Sequence, residues 1–418
     1  MKRCGVRALP VLVGLVAASC LTTPAWADPA PADFAADAPG AVLSVRDTVM
    51  PAPAPLIDGS YAPGQQIAAS ARTIAFTSRD AHGLPVTVGG TVLVPEAPWT
   101  GDGPRPTVVV APGTVGQGDQ CAPSATFGRP GGGHIAQARL LLGQGYRVVI
   151  SDYIGLGDDR MHAYGHRLES GRVLLDAARA GLAVDGLPAD SPVALWGYSQ
   201  GGGAVAAAVE MAPTLAPDVN LRAAYAGAPP ADLGAVLERI DGSILAGAIG
   251  WAINGFAERD PHLAAKKEEI LNSHGRRILD SVSGLCVEKT GLLTMGQETR
   301  TWTVDGRPIA AHIADSPEFT RIIDEQAIGR LTPSAPVLIS IGRHDDLVPY
   351  DQAAALAETW RSRGADVEMV VDEFPAVAQG TALNHSVASV ATESAALEFL
   401  ARHLGTDAIT SSAALGSA

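Results

Sequence analysis

Val193-Ala194-Leu195-Trp196-Gly197-Tyr198-Ser199-Gln200-Gly201 decides how this chain is read. Four consecutive apolar residues make a short strand buried on both faces, and Gly202–Met211 beyond the turn is helix-forming. Between strand and helix stands Gly-x-Ser-x-Gly. A strand-to-helix turn this tight strains its serine and lifts the Oγ above the sheet edge. Small residues at 197 and 201 let the backbone fold that closely. The helix N-terminus adds a positive dipole end beside the oxygen. Ser199 is therefore read as a nucleophile, not a structural serine.

A serine nucleophile needs a base, and the base needs an orienting carboxylate. On this kind of turn the partners follow in the chain order Ser, acid, His. Past Ser199, the strand Val337–Ile341 runs into Gly342-Arg343-His344-Asp345-Asp346-Leu347-Val348-Pro349. Asp345 comes first on that loop and is taken as the acid. Asp346 is the alternative, with surface solvation as its default role. Among ten histidines, His385 in Leu383-Asn384-His385-Ser386-Val387 lies between the last strand and the last helix. His403 falls inside that helix and His344 abuts the acid, so His385 is taken as the base. An oxyanion hole completes the set. The N–H of Gln200 is one expected donor, and Thr114 in Ala111-Pro112-Gly113-Thr114-Val115-Gly116, after the strand Thr107–Val110, is the other.

Outward from this centre, short apolar runs recur at Thr107–Val110, Tyr146–Ile150, Val193–Trp196, Leu221–Tyr225, Pro336–Ile341 and Val367–Val371. Helical stretches alternate with them: Ile135–Leu142, Glu169–Leu182, Gly203–Met211, Gln352–Trp360 and Thr392–His403. That pattern predicts an α/β fold, a mostly parallel sheet with helices on both faces. Earlier, Val86-Thr87-Val88 and Thr91–Val94 flank Gly89-Gly90 like the arms of a hairpin. Alternation stops between about Pro229 and Ile323, which reads as a helical insertion. Its stretch Gly242–Phe256 carries no charge and is too short for a confident membrane span; a buried helix is the plain reading.

Composition narrows the function. The chain has 418 residues, 47% hydrophobic and 18% charged, with net charge −14. It can bury a large core, and an acidic surface argues against nucleic-acid partners. Lys2, Arg3 and Arg7, the apolar Ala8–Leu21 and Ala25-Trp26-Ala27 read as a signal peptide over 1–27. Its loss removes three positive charges and no negative one, leaving −17. Cys20 after Ala17-Ala18-Ser19 forms a weak lipobox, so a lipid anchor is the alternative to full secretion. Cys121 and Cys286 remain in the mature chain. In an exported protein they are expected to form one disulfide, with two buried free thiols as the alternative. Gly113, Gly116 and Gly118 resemble a phosphate loop, but no Lys-Ser/Thr follows. Asp158, Asp159, His162 and His166 have the residue types of a metal site, yet Asp158-Asp159 beside Gly155 and Gly157 reads as a loop. No metal and no cofactor are expected.

At these same residues the chain resembles the secretory lipase family, which includes fungal lipase A-type enzymes. The likeness runs over roughly residues 38–405. Gly197–Gly203 is similar to the family's G-Y-S-x-G-G elbow. Asp119-Gln120-Cys121-Ala122-Pro123-Ser124 resembles its D-x-C-A-P-S segment, and Asp345–Tyr350 its D-x-x-V-P-Y loop. Tyr225–Pro229 resembles its post-elbow strand, and Asp260–Cys286 its helical cap, ending in the cysteine that pairs with the one before A-P-S. Where bacterial members often read His-Gly-Thr, this chain has Pro112-Gly113-Thr114. The resemblance implies an α/β-hydrolase core, a helical lid and hydrolysis of acylglycerols and other carboxylic esters.

The expected organisation is a signal peptide (1–27), an Ala/Pro-rich arm (28–56), core (57–228), lid (229–325), core (326–405) and tail (406–418). The expected function is an exported serine hydrolase, a triacylglycerol lipase working through an acyl-enzyme, at times on a lipid–water interface and without a stable protein partner. A carboxylesterase for short-chain or natural-product esters stays open, as does a non-catalytic ligand-binding fold. An apolar lid punctuated by Gly242, Gly247, Gly250 and Gly255 suits an acyl tail, so bulk at Gly247 or Gly250 is expected to shorten the preferred acyl chain.

Overall fold

Among the described residues, nine strands form one sheet in the order β1-β2-β3-β5-β4-β6-β7-β8-β9. They are β1 (Val42–Thr48), β2 (Ala69–Arg79), β3 (Pro85–Pro95), β4 (Thr107–Ala111), β5 (Arg147–Ser151), β6 (Val193–Tyr198), β7 (Leu221–Gly227), β8 (Val337–Gly342) and β9 (Val367–Asp372). The computed structural model describes residues 36–52, 67–129, 132 and 134–406. The leader with Cys20, the parts 28–35 and 53–56 of the arm, and the tail from 407 lie outside the described residues. From β5 to β9 all pairings are parallel, while β1, β2 and β3 run antiparallel and β3 joins β5 antiparallel.

The continuous apolar runs are explained by burial on both faces. Val109, Val149, Leu195 and Ile339 point into one layer, with helices α2 (Arg167–Ala183), α3 (Gln200–Leu215) and α11 (Tyr350–Ser362). Their neighbours Val108, Val110, Val148, Ala194 and Leu338 point the opposite way, into α1 (Ile135–Gly143) and α13 (Glu393–Leu404). A strand alternates its side chains between faces, so with both faces covered the run is apolar almost throughout, and a buried polar residue such as Ser340 is held by hydrogen bonds to Tyr225 and Thr392.

Between β7 and β8 the chain leaves the sheet for α4 (Leu233–Ile240), α5 (Gly247–Arg259), α6 (Pro261–Ile270), α7 (Ser273–Ser283), α8 (Val287–Thr294), α9 (Ile309–Ala314) and α10 (Pro317–Gln326). Short polar side chains start several of them. Asp232 accepts from Ala235 N, Asp260 from His262 N, Asn272 from His274 and Gly275 N, and Ser316 from Phe319 N. Each satisfies first-turn donors that the helix itself cannot. The insertion has its own core around Trp251, Trp302, Ile249, Leu271 and Leu279. Among the described residues, no helix is long and apolar enough to cross a membrane. The uncharged stretch is buried helix α5, shifted to start at Gly247.

Two expectations are corrected. Gly89-Gly90 is not a hairpin turn: both lie inside β3, opposite Ala75 and Ile74 of β2. A Cβ on Gly89 would collide with the Asp152 carboxylate, so the glycine marks a close approach. The turn joining β2 to β3 falls at residues 80–84. Residues 42–48, read as part of a tether, form edge strand β1 on β2. Its side chains are mostly exposed, so it lacks the apolar signature of a buried strand.

Candidate active site

Ser199 sits at the junction of β6 and α3 with φ 59° and ψ −123°, a conformation an L-residue adopts only under constraint. The constraint is visible. Ser199 N donates to Gly227 O of β7 at 2.9 Å, and Gly203 N donates to Ser199 O at 3.0 Å. A Cβ on Gly197 would strike the Gly201 carbonyl, and one on Gly201 the Ala111 carbonyl. The two glycines of the motif are therefore steric requirements of the turn.

The acid and the base meet. His385, near the start of α12 (Leu383–Ala391), places Nδ1 2.7 Å from Asp345 Oδ2, and both side chains are buried. A carboxylate can only accept, so Nδ1 carries the proton and Nε2 keeps its lone pair. The other Asp345 oxygen accepts from Leu347 N (2.9 Å) and Val348 N (2.8 Å), which fixes the carboxylate's rotation.

Asp346 is not at the surface. It is 1% exposed, and its oxygens accept from His385 N at 3.0 Å and Ala382 N at 2.8 Å. It holds the backbone of the histidine loop while Asp345 holds the imidazole. Tyr198 does related work, donating to His385 O at 2.8 Å with its ring 5.0 Å from the imidazole. Burial, then the Asp345 charge, push its phenol well above the usual range, so it stays a donor. Sequence reasoning missed Tyr198, although its place inside the Gly-x-Ser-x-Gly turn was the signal available.

Gln200 opens α3, so its N–H has no intrahelical acceptor. Its side-chain Nε2 donates to His162 Nε2 at 2.9 Å, and His162 Nδ1 donates to Ile154 O at 3.0 Å. Burial lowers the His162 pKa to about 4 and keeps the ring neutral. His166 accepts from Glu169 N as the cap of α2 and stacks on Phe256. Asp158 accepts from Arg160 N. Three of the four residues weighed as a metal site are thus engaged within the protein. Thr114 shares a 2.8 Å hydrogen bond with Tyr164 OH, and Tyr153 OH donates to Pro112 O at 2.7 Å. Both tie down the loop after β4.

A bond between Cys121 and Cys286 joins that region to the insertion, with Cα atoms 5.4 Å apart. Gly116 bridges Cys286 in antiparallel fashion, and Gln117 Nε2 donates to Trp251 O at 2.9 Å.

The family model described as "Secretory lipase" matches residues 135–411. This chain belongs to the secretory lipase family. A Mycobacterium tuberculosis protein named "Probable inactive lipase" is 28% identical over 82% of this chain and 75% of its own length. A secreted triacylglycerol lipase of Malassezia globosa is 29% identical over 72% of this chain and 66% of its own length. Candida antarctica lipase A superposes with TM-score 0.74 at 22% identity, covering 90% of this chain and 85% of that one. The rice cell wall degrading esterase LipA of Xanthomonas oryzae gives 0.69 at 19%, covering 88% and 100%. Both neighbours place this lipase in the α/β-hydrolase fold.

One cavity adjoins Ser199 in this lipase, and a second shares part of its wall. The nearer is lined by Ser199, Gln200, Arg167, Leu347 and Val348 among others. The farther lies inside the insertion between Val236, Leu237, Ile249, Ile253, Phe319 and Ile322. Gly247 and Gly250 do not face it: Gly247 abuts Thr290 and Thr294, and Gly250 abuts Val282 and Leu279. Gly255 packs on Ala163. The glycines of α5 serve packing, while Ala248, Ile249, Ala252 and Ile253 line the cavity.

Proposed function

We propose that this lipase is secreted and hydrolyses carboxylic esters, acylglycerols foremost, by a Ser199–His385–Asp345 triad. His385 Nε2 takes the Ser199 proton as Oγ attacks the ester carbonyl carbon. Asp345 holds the imidazole and stabilises the imidazolium. The N–H of Gln200 and the Thr114 loop receive the oxyanion, each donor being worth about 3 kcal/mol in such sites. Collapse of the tetrahedral species breaks the C–O bond, and the imidazolium protonates the departing alkoxide. Water activated by His385 then hydrolyses the acyl-enzyme and frees the acid. The chemistry uses only protein groups.

The observation carrying this reading is the buried 2.7 Å bond between His385 and Asp345, with His385 tied through its carbonyl to Tyr198, the residue before a strained Ser199. An apolar cavity that shares a wall with the one at Ser199 supports an acyl chain as the group bound. The insertion over Ser199 is the lid of this reading, and a lipid–water interface is where its substrate would be met. The relative named an inactive lipase raises a second reading, a fold that binds esters without cleaving them. Covalent labelling of Ser199 by a fluorophosphonate separates the two, since only a working nucleophile reacts. A p-nitrophenyl ester series from two to sixteen carbons then separates lipase from short-chain esterase.

A further inference from the structure

We propose that Tyr164 links acyl-chain selection to the oxyanion loop, serving both as the sill between the two cavities and as the strut of Thr114. The inference rests on Ser199 as nucleophile and on the Thr114 loop as its oxyanion support. The cavity at Ser199 and the cavity inside the insertion have five wall residues in common: Tyr164, Gly165, Leu233, Val236 and Ile240. Those residues form a collar through which a chain seated on Ser199 must pass to reach the inner space. Tyr164 is the bulkiest of them and the one with a polar tip. Its ring lies 5.5 Å from Trp251 of α5 and meets His162 edge-on at 6.3 Å, so its plane is held from two sides. The hydroxyl bonds Thr114 Oγ1 at 2.8 Å. Burial raises that phenol to about 12, so the hydroxyl stays protonated throughout the working range.

A side chain with those two attachments serves both ends. An acyl chain long enough to cross the collar runs along the ring, while the hydroxyl props the loop after β4 whatever the length of the chain. Short chains end before the collar and leave Tyr164 untouched. The hydroxyl and the ring therefore have separable effects. Removing the hydroxyl loosens the loop for every substrate alike, because about 1 Å of misplacement at an oxyanion site is enough to slow turnover. Shrinking the ring widens the collar and acts on long chains alone.

The test uses the full chain and p-nitrophenyl esters of four to sixteen carbons. Tyr164→Phe should lower kcat about fivefold at all lengths with KM unchanged. Thr114→Val should do the same, and the double variant should be no slower than the slower single, since both remove one bond. Tyr164→Leu should raise the ratio of kcat/KM for fourteen-carbon over four-carbon esters about tenfold; Tyr164→Met serves if the leucine variant does not fold. Full kcat in Tyr164→Phe, multiplicative losses in the double variant, or an unshifted chain-length ratio in the leucine and methionine variants would each overturn the proposal. Fluorophosphonate labelling of Ser199 in the unaltered protein is run alongside. If it fails, the triad reading falls and takes this inference with it; if it succeeds, the variants judge Tyr164 alone.

Discussion

Ser199, His385 and Asp345 act as one unit in the proposed reaction, and the kinetics should show it. Ser199→Ala should remove nearly all esterase activity with the melting temperature unchanged. Adding His385→Ala should make little further difference, because removing one triad member already disables the set. Near-normal turnover by either single variant would falsify the assignment. The two adjacent aspartates should separate by kind. Asp345→Asn should cut kcat severely, leaving the histidine with the wrong tautomer. Asp346→Ala should lower the melting temperature as well, since two buried N–H groups lose their acceptors at about 1–3 kcal/mol each. The turn at Ser199 was legible from its motif, and the Asp345–His385 pair from the order of strand ends. Asp346 was not, because a buried acid that binds backbone has no pattern of its own. A pH effect also belongs at this scale. His162 titrates near 6.5 in the unfolded chain and about 4 in the fold, so between those values the unfolded state takes the extra proton. Its share of stability is full above pH 6.5 and is lost as the pH falls toward 4. Replacing it by Gln should flatten the melting temperature against pH over that range, which calorimetry at half-unit steps will read.

Helix α5 carries the clearest prediction among the elements. Gly247 meets α8, Gly250 meets α7 and Gly255 meets Ala163, while Ala252 faces the inner cavity. Ala252→Phe should shift the preferred acyl chain several carbons shorter with a small change in stability. Gly247→Leu should lower the melting temperature and leave the preference of the surviving fold alone. The sequence showed that this stretch is apolar and glycine-rich, but facing is a matter of helical phase against two partners, and seven closely spaced helices offer several choices. The strands contrast instructively. β4 to β8 were legible because burial on both faces forces unbroken apolar runs. β1 was hidden because an edge strand exposes most of its side chains. Gly89-Gly90 misled because a glycine pair required by a neighbouring carboxylate looks locally like one required by a turn.

Across the whole molecule, the bond between Cys121 and Cys286 closes a loop of 165 positions. The chain-entropy estimate for such a loop is roughly 5 kcal/mol, an upper figure because residual structure in the unfolded chain reduces it. Cys121→Ser with Cys286→Ser should therefore melt well below the parent protein. Mass spectrometry after alkylation without reduction should find neither cysteine of the parent modified. The Gly116 bridge, the disulfide and Gln117 all fasten the insertion to one side of the sheet, next to the loop that faces Ser199. That side works as a clamp: the insertion cannot part from the sheet there without breaking a covalent bond, so the loop beside it keeps its place whatever the helices above it do.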